Sequence, residues 1–327
     1  MNRVAVVGAG VMGCAAAWAL TERGADVTVF EQFELDHDRG SSHGRSRIVR
    51  LAYPEAHWVR LAAEAMAGWR ELEAESGAEL LGLYGLVELA SSPELTSAAA
   101  LDACGAPYRR LDAAGARQLG VVLPAGWAAL HQPEAGVVRA DLARHAFLDL
   151  AVARGTRVET GRRVASLDEL DADVVVVTAG AWAASLVPDL PVRVTRETVA
   201  YFRREGPPAP SVVELDDATG GHALYALYDP AVGLKAGVHH AGAEADPDAD
   251  GFPDPALVAR IAGWVRERLP GVDPEPVDSD TCLYTSTADE EFVLERRGRV
   301  VVGSACSGHG FKFAPAVGRR LAALALA

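Results

Sequence analysis

The chain opens on RVAVVGAGVMG, an apolar β-branched run from Arg3 to Val7 that runs into Gly8, Gly10 and Gly13 and then into an Ala-rich helical stretch from Cys14 to Arg23. No other segment constrains the fold as much. Glycines in G-x-G-x-x-G spacing let a chain turn sharply out of a strand, bring bare backbone up to a pyrophosphate and pack a helix closely on the strand. The helix N-terminus then offers N–H donors and a partial positive charge to the phosphates. A second strand, Asp26 to Phe30, ends at Glu31, where an acid accepts from ribose hydroxyls. The expectation is a βαβ dinucleotide unit, with Gly8, Gly10, Val11, Met12, Gly13, Glu31 and Gln32 lining a cofactor. The motif alone fits FAD and NAD equally, and a ligand-free glycine turn is the competing reading.

A chain of 327 residues, half of them hydrophobic, holds two domains or one large elaborated one. Asp173 to Thr178 contains four consecutive valines, too apolar for a half-exposed strand, and meets a second glycine turn at Ala179 to Trp182. Trp58 to Ser76 carries apolar residues at helical spacing with acidic partners and reads as a surface helix, and Ser97 to Leu119 reads as shorter helical pieces around Pro107. From Val192 to His240 the pattern alternates as in strands (VTRETVAYF, HALYALY, VGLKAGVHH), which predicts a mixed or antiparallel sheet. An acidic Pro/Asp-rich loop then leads to a helix from Ala256 to Leu269, a strand from Val300 to Val302 and a helix from Ala314 onward. The expected class is α/β: a Rossmann-like nucleotide-binding domain built from residues 1–80, 140–190 and 278–327, with an inserted mixed-sheet substrate domain from 81–139 and 191–277.

The formal net charge of −14 argues against broad nucleic-acid or anionic-membrane binding. No apolar run approaches a membrane-spanning length, and Cys14, Cys104, Cys282 and Cys306 are scattered without metal-ligand spacing, so no metal is expected and the compartment is read as reducing cytoplasm. Within this acidic chain GSSHGRSRIVR gathers His43, Arg45, Arg47 and Arg50, an invitation to an anion, although charge runs are often only solvated faces. SGHGFKF places His309 and Lys312 on a glycine-bracketed loop after a buried strand, where ligands bind in open α/β sheets.

Taken together, the N-terminal glycines, GSSHGRSRIVRLAYPE, the TAGAW segment, GLKAGVHH, CLYTSTADEEFVLE and SGHGFKF resemble, in order and rough spacing along nearly the whole chain, the monomeric sarcosine oxidase and N-methyltryptophan oxidase branch of the D-amino-acid-oxidase-like flavoproteins. The resemblance implies FAD, attached covalently through Cys282 as a thioether to the flavin 8-methyl group. It also implies that Lys235 assists oxygen reduction, that His239 is an active-site histidine, and that Arg50 and Lys312 hold a substrate carboxylate. Arg47, His43, Tyr284 and His309 would line the flavin and substrate space, and Ser42, Gly180, Trp182, Gly308, Gly310 and Phe311 would complete the cofactor's walls. The family's pocket tyrosine falls on Tyr225 or Tyr228.

This chain is shorter than typical members, so the resemblance does not carry substrate specificity over. The implied activity is oxidation of the C–N bond of a small secondary amino acid by a monomer, with oxygen reduced to hydrogen peroxide. Rival readings are a glycine- or D-amino-acid-oxidase-like enzyme, a biosynthetic oxidase or dehydrogenase of a cyclic imino acid, and a flavin-binding protein without activity. A nicotinamide dehydrogenase leaves CLYTSTADEEF unexplained.

Overall fold

The computed structural model describes residues 2–92, 94–215 and 223–327. Arg3–Val7 lies inside a six-stranded sheet ordered Val293–Arg297, Val300–Ser304, Val174–Val177, Arg3–Val7, Asp26–Phe30 and Arg157–Glu159. Its pairings are parallel except at the Val293–Arg297 edge. Strands covered on both faces must be apolar on both, and this is what the valine run supplies: Val174–Val177 is buried throughout and aligns residue for residue with Val4–Val7.

The first helix runs Val11–Glu22, beginning earlier than Cys14, because Gly10 already takes the extended N-cap conformation. It is buried from Val11 through Thr21, packed against the helices Ala140–Ala153 and Ala314–Leu326. Small residues permit this crowding, since a Cβ on Gly318 would lie 2.5 Å from the Ala15 carbonyl oxygen. The helix Ala56–Ser76 is amphipathic rather than superficial: Trp58, Leu61, Ala65, Trp69 and Leu72 are buried on one face. Around Pro107 the helices Thr96–Cys104 and Ala113–Gln118 flank a short strand, Arg109–Leu111.

The second sheet has nine strands and is mixed, as Val192 to His240 predicts: Arg193–Arg203, Gly233–Val238, Leu224–Asp229 and Ser211–Leu215 pair antiparallel or lie adjacent, and Ser211–Leu215 pairs parallel with Leu86–Ala90. The run HALYALY begins at His222, outside the described residues. Helix Pro255–Arg268, capped by the Asp254 carboxylate accepting from the Ala256 N–H at 2.8 Å, seals one face with Ile261, Trp264 and Val265 against Phe202 and Leu234. Pro276–Ser286 hydrogen-bonds along Arg193–Arg203, which sets Cys282 opposite Glu197 within this larger sheet. A three-stranded sheet of Ser46–Val49, Gly136–Arg139 and Leu81–Gly82 incorporates Arg47 of the basic segment.

Candidate active site

One cleft extends from the glycine turn to the face of the nine-stranded sheet, enclosing about 1990 Å³ with its open mouth included. At one end the backbone is exposed by necessity. Gly8 has φ of 103°, and a Cβ there would stand 2.7 Å from the Thr178 carbonyl oxygen; a Cβ on Gly13 would strike the Gly8 carbonyl oxygen at 1.8 Å. Gly13 therefore serves close packing, while Gly8, Gly10, Val11 and Met12 line the cleft. The Val11 N–H donates to Ser42 Oγ at 3.0 Å, and the Ala9 N–H donates to Glu31 Oε2 at 2.8 Å. Glu31, placed by sequence against a ribose, is buried on the cleft wall, and its other oxygen accepts from the Phe33 N–H at 3.1 Å. Gln32, Gly180 and Trp182 complete this end. Trp182 Nε1–H donates to Asp248, which also accepts from Arg163, so the acidic loop is tied to two residues of the cleft wall.

Farther along, the Arg47 guanidinium donates to the Ser41, His43 and Ser46 carbonyls and lies 5.5 Å over the Phe311 ring. Among the described residues, His43 Nδ1, Ser46 Oγ and Arg144 Nη1 are buried without a hydrogen-bond partner, and all three residues line the cleft. Buried polar atoms left unpaired cost free energy, so these walls suit a polar occupant. The glycine cradle, the helix N-terminus, the Glu31 carboxylate and the orphaned polar atoms together fit FAD.

The far end gathers buried titratable side chains. Lys235 and Cys282 face the cleft, and burial pushes the Lys235 ammonium down to about 7, with Arg47 adding to the effect. Burial pushes the Cys282 thiol up, opposed by the charges of Lys235 and Arg47. The Lys312 ammonium donates to Tyr53 Oη at 2.9 Å and to the His309 carbonyl at 2.6 Å; burial first, then Arg50, holds it well below the usual lysine range. Arg50 stacks 4.5 Å over the same Tyr53 ring, and Tyr53 Oη lies 3.2 Å from His309 Nδ1. His239 Nδ1 meets Tyr284 Oη at 3.3 Å, and burial keeps both His239 and His309 neutral, the latter with a pKa of about 3.

The fold thus brings Arg47, Arg50, Lys235, His239, Cys282, Tyr284, His309 and Lys312 together with Gly308, Gly310 and Phe311. Of the two candidate tyrosines, Tyr225 lines the cleft, its hydroxyl filling the space that a Gly237 Cβ would take, whereas Tyr228 packs edge-on against Tyr84. Arg45 leaves the basic cluster to pair with the buried Asp229. Sequence reasoning assigned no role to Tyr53, Arg144 or Glu88. Glu88 was signalled only by an acid within the apolar run LVELA. His239, His240 and Glu290 bring one donor atom each within 4.8 Å of one another, but His239 also feels the charges of Lys312 and Arg50, which oppose a dication there.

The chain is similar to known flavoenzymes over nearly its whole length. A family model described as "DAO: FAD dependent oxidoreductase" matches residues 3–324. Peroxisomal sarcosine oxidase of Mus musculus is 33% identical, over 98% of this chain and 91% of its own. Monomeric sarcosine oxidase of a Bacillus species is 29% identical, over 99% and 92%. Among solved structures, the open form of NikD, an amino acid oxidase essential for nikkomycin biosynthesis, superposes with a TM-score of 0.87 at 27% identity, over 100% of this chain and 94% of its own.

Proposed function

This chain belongs to the DAO family of FAD-dependent oxidoreductases, and from that premise we propose that it oxidises the C–N bond of a small secondary amino acid, N-methyl or cyclic, to the imine, with oxygen reduced to hydrogen peroxide. The observation that carries the proposal is the placement of Arg50 and Lys312 around Tyr53 at the end of a cleft that fits FAD. Two cations on one aromatic support form a receptor for a carboxylate, and a guanidinium fork adds orientation to charge. Bound FAD supplies a two-electron acceptor that relays electrons from the amine to oxygen.

In this reading the Gly8–Gly13 turn and the helix behind it hold the pyrophosphate, Glu31 and Gln32 the ribose, and Ser42, His43, Arg47, Gly180, Trp182 and Gly308–Phe311 the remaining walls. Cys282 would hold the flavin through a thioether at its 8-methyl carbon, the flavin itself taking up the two electrons released; its support is its place on the cleft wall, where the charges of Lys235 and Arg47 oppose the upward push of burial on the thiol. With its carboxylate held by Arg50 and Lys312, the substrate lays its amine beside His239, whose neutral ring can accept an N–H. Tyr284 fixes that ring. Tyr225 walls the substrate side, and the buried Tyr53 backs Arg50 and Lys312. Lys235 places an ammonium where oxygen gains negative charge. No helix among the described residues is long and apolar enough to cross a membrane, and the four cysteines are free. The similarity to the monomeric sarcosine oxidase of a Bacillus species supports a monomer, and the scattered cysteines without paired spacing support a reducing compartment such as the cytoplasm.

Sarcosine and L-proline, each supplied with oxygen, test the activity. The expected result is oxygen uptake matched one-to-one by hydrogen peroxide, with formaldehyde released from sarcosine or a cyclic imine from proline. Amine-dependent dye reduction without oxygen uptake would instead identify a dehydrogenase.

A further inference from the structure

Glu88 stands behind Arg50, outside the cleft lining and with 1% of its surface exposed. It lies on Leu86–Ala90, in cross-strand register with Leu130 on one side and Val213 on the other, both buried and apolar. A carboxylate in that row is costly unless paired, and burial raises its pKa while Arg50 opposes the rise. Its two oxygens are divided between two partners: Ser97 Oγ–H donates to Oε1, and Arg50 Nη1 lies 3.5 Å from Oε2. Ser97, itself buried, sits in the first turn of Thr96–Cys104 and fixes the plane of the carboxylate.

Arg50 is therefore gripped on two sides, by the Tyr53 ring at 4.5 Å and by Glu88 through one terminal nitrogen. A guanidinium carries five N–H donors, so a single contact at Nη1 leaves others free to form a two-point contact with a carboxylate arriving from the cleft. Without Glu88 the guanidinium would keep only the Tyr53 ring of these two supports.

We propose that Glu88, anchored by Ser97, is the positioning residue of Arg50: it aims the guanidinium so that Arg50 and Lys312 receive one substrate carboxylate together. The inference rests on the reading of Arg50 and Lys312 as the carboxylate receptor. It makes Glu88 act through Arg50 and on the carboxylate alone.

The test uses holoenzyme in anaerobic stopped-flow reduction read from the flavin absorbance, the concentration dependence of the rate giving the apparent Kd, with sarcosine as probe and dimethylamine as its carboxylate-free control. Glu88→Ala should weaken sarcosine about tenfold, the scale of one charge-assisted contact, and leave dimethylamine unchanged. Glu88→Gln, whose amide oxygen can still accept from Arg50 while its N–H donates to Ser97 Oγ, guards against misfolding of the alanine variant and should recover most of that loss. In an Arg50→Met background Glu88→Ala should have no further effect, since a residue that acts only through another has nothing left to act on. The inference is overturned if Glu88→Ala leaves sarcosine binding unchanged, weakens both ligands equally, or adds its full effect to Arg50→Met. If Arg50→Met itself leaves sarcosine binding unchanged, the carboxylate reading falls and takes this inference with it. If Arg50→Met weakens sarcosine and Glu88→Ala does not, this inference alone fails.

Discussion

Replacing Lys235 by methionine keeps the length and bulk of the side chain and removes a buried positive charge. Lys235 is 6% exposed, and its ammonium projects past Gly44 with the Arg47 guanidinium close by. A unit charge about 4 Å from developing negative charge is worth roughly 4 kcal/mol at an effective dielectric near 20. Converted at about 1.4 kcal/mol per decade, that is roughly a thousandfold in rate. In stopped-flow measurements, Lys235→Met should slow reoxidation of the reduced enzyme by oxygen on that scale and affect anaerobic reduction by the amine far less. The pH dependence carries a sign. A lysine held near 7 is charged below that pH and neutral above it, and a reduced, anionic cofactor beside it moves the midpoint upward. Wild-type reoxidation should therefore fall as pH rises through a midpoint at or above 7, and Lys235→Met should remain slow and flat across the same range. Equal slowing of both half-reactions, or a wild-type pH profile surviving in the variant, would refute the reasoning.

Two further outcomes follow from the cofactor end. Gly8→Ala should yield protein largely devoid of flavin, because the new methyl group meets the Thr178 carbonyl at 2.7 Å on a backbone with φ of 103°; flavin content per chain after purification measures it, and a full complement would contradict the cradle assignment. Cys282→Ala should release its yellow colour into the supernatant on acid precipitation while the unsubstituted chain keeps it in the pellet, and release from both would show the flavin to be noncovalent.

How much of this is legible in the sequence depends on the range of the interaction that decides it. The Gly8 turn is legible because its demands are local: a left-handed backbone and a close carbonyl leave glycine as the residue that fits. The valines of Val174–Val177 are legible because burial on both faces writes itself as an unbroken apolar run. Tyr53 is a different case. Its hydroxyl joins His309 and Lys312 across separations of 256 and 259 residues, and no local pattern announces that meeting. Glu88 is hidden in the same way, since its partners Arg50 and Ser97 reach it from two other elements. Tyr225 and Tyr228 differ by three positions on one strand and so point to opposite faces, and only the packing of that strand tells which face looks into the cleft. The early start of the first helix turns on Gly10, whose extended conformation makes it the cap rather than part of a longer turn.

The most direct test of the central claim is the anaerobic visible spectrum of the purified protein as sarcosine, N-methyl amino acids, proline, pipecolate and glycine are added in turn. A FAD-dependent oxidase of secondary amino acids should show an oxidised-flavin band that bleaches with an N-methyl or cyclic member of the series and returns on admitting oxygen. A flavin band that none of these amines bleaches would contradict the substrate class proposed, and the absence of flavin after reconstitution would contradict the assignment of the cleft itself.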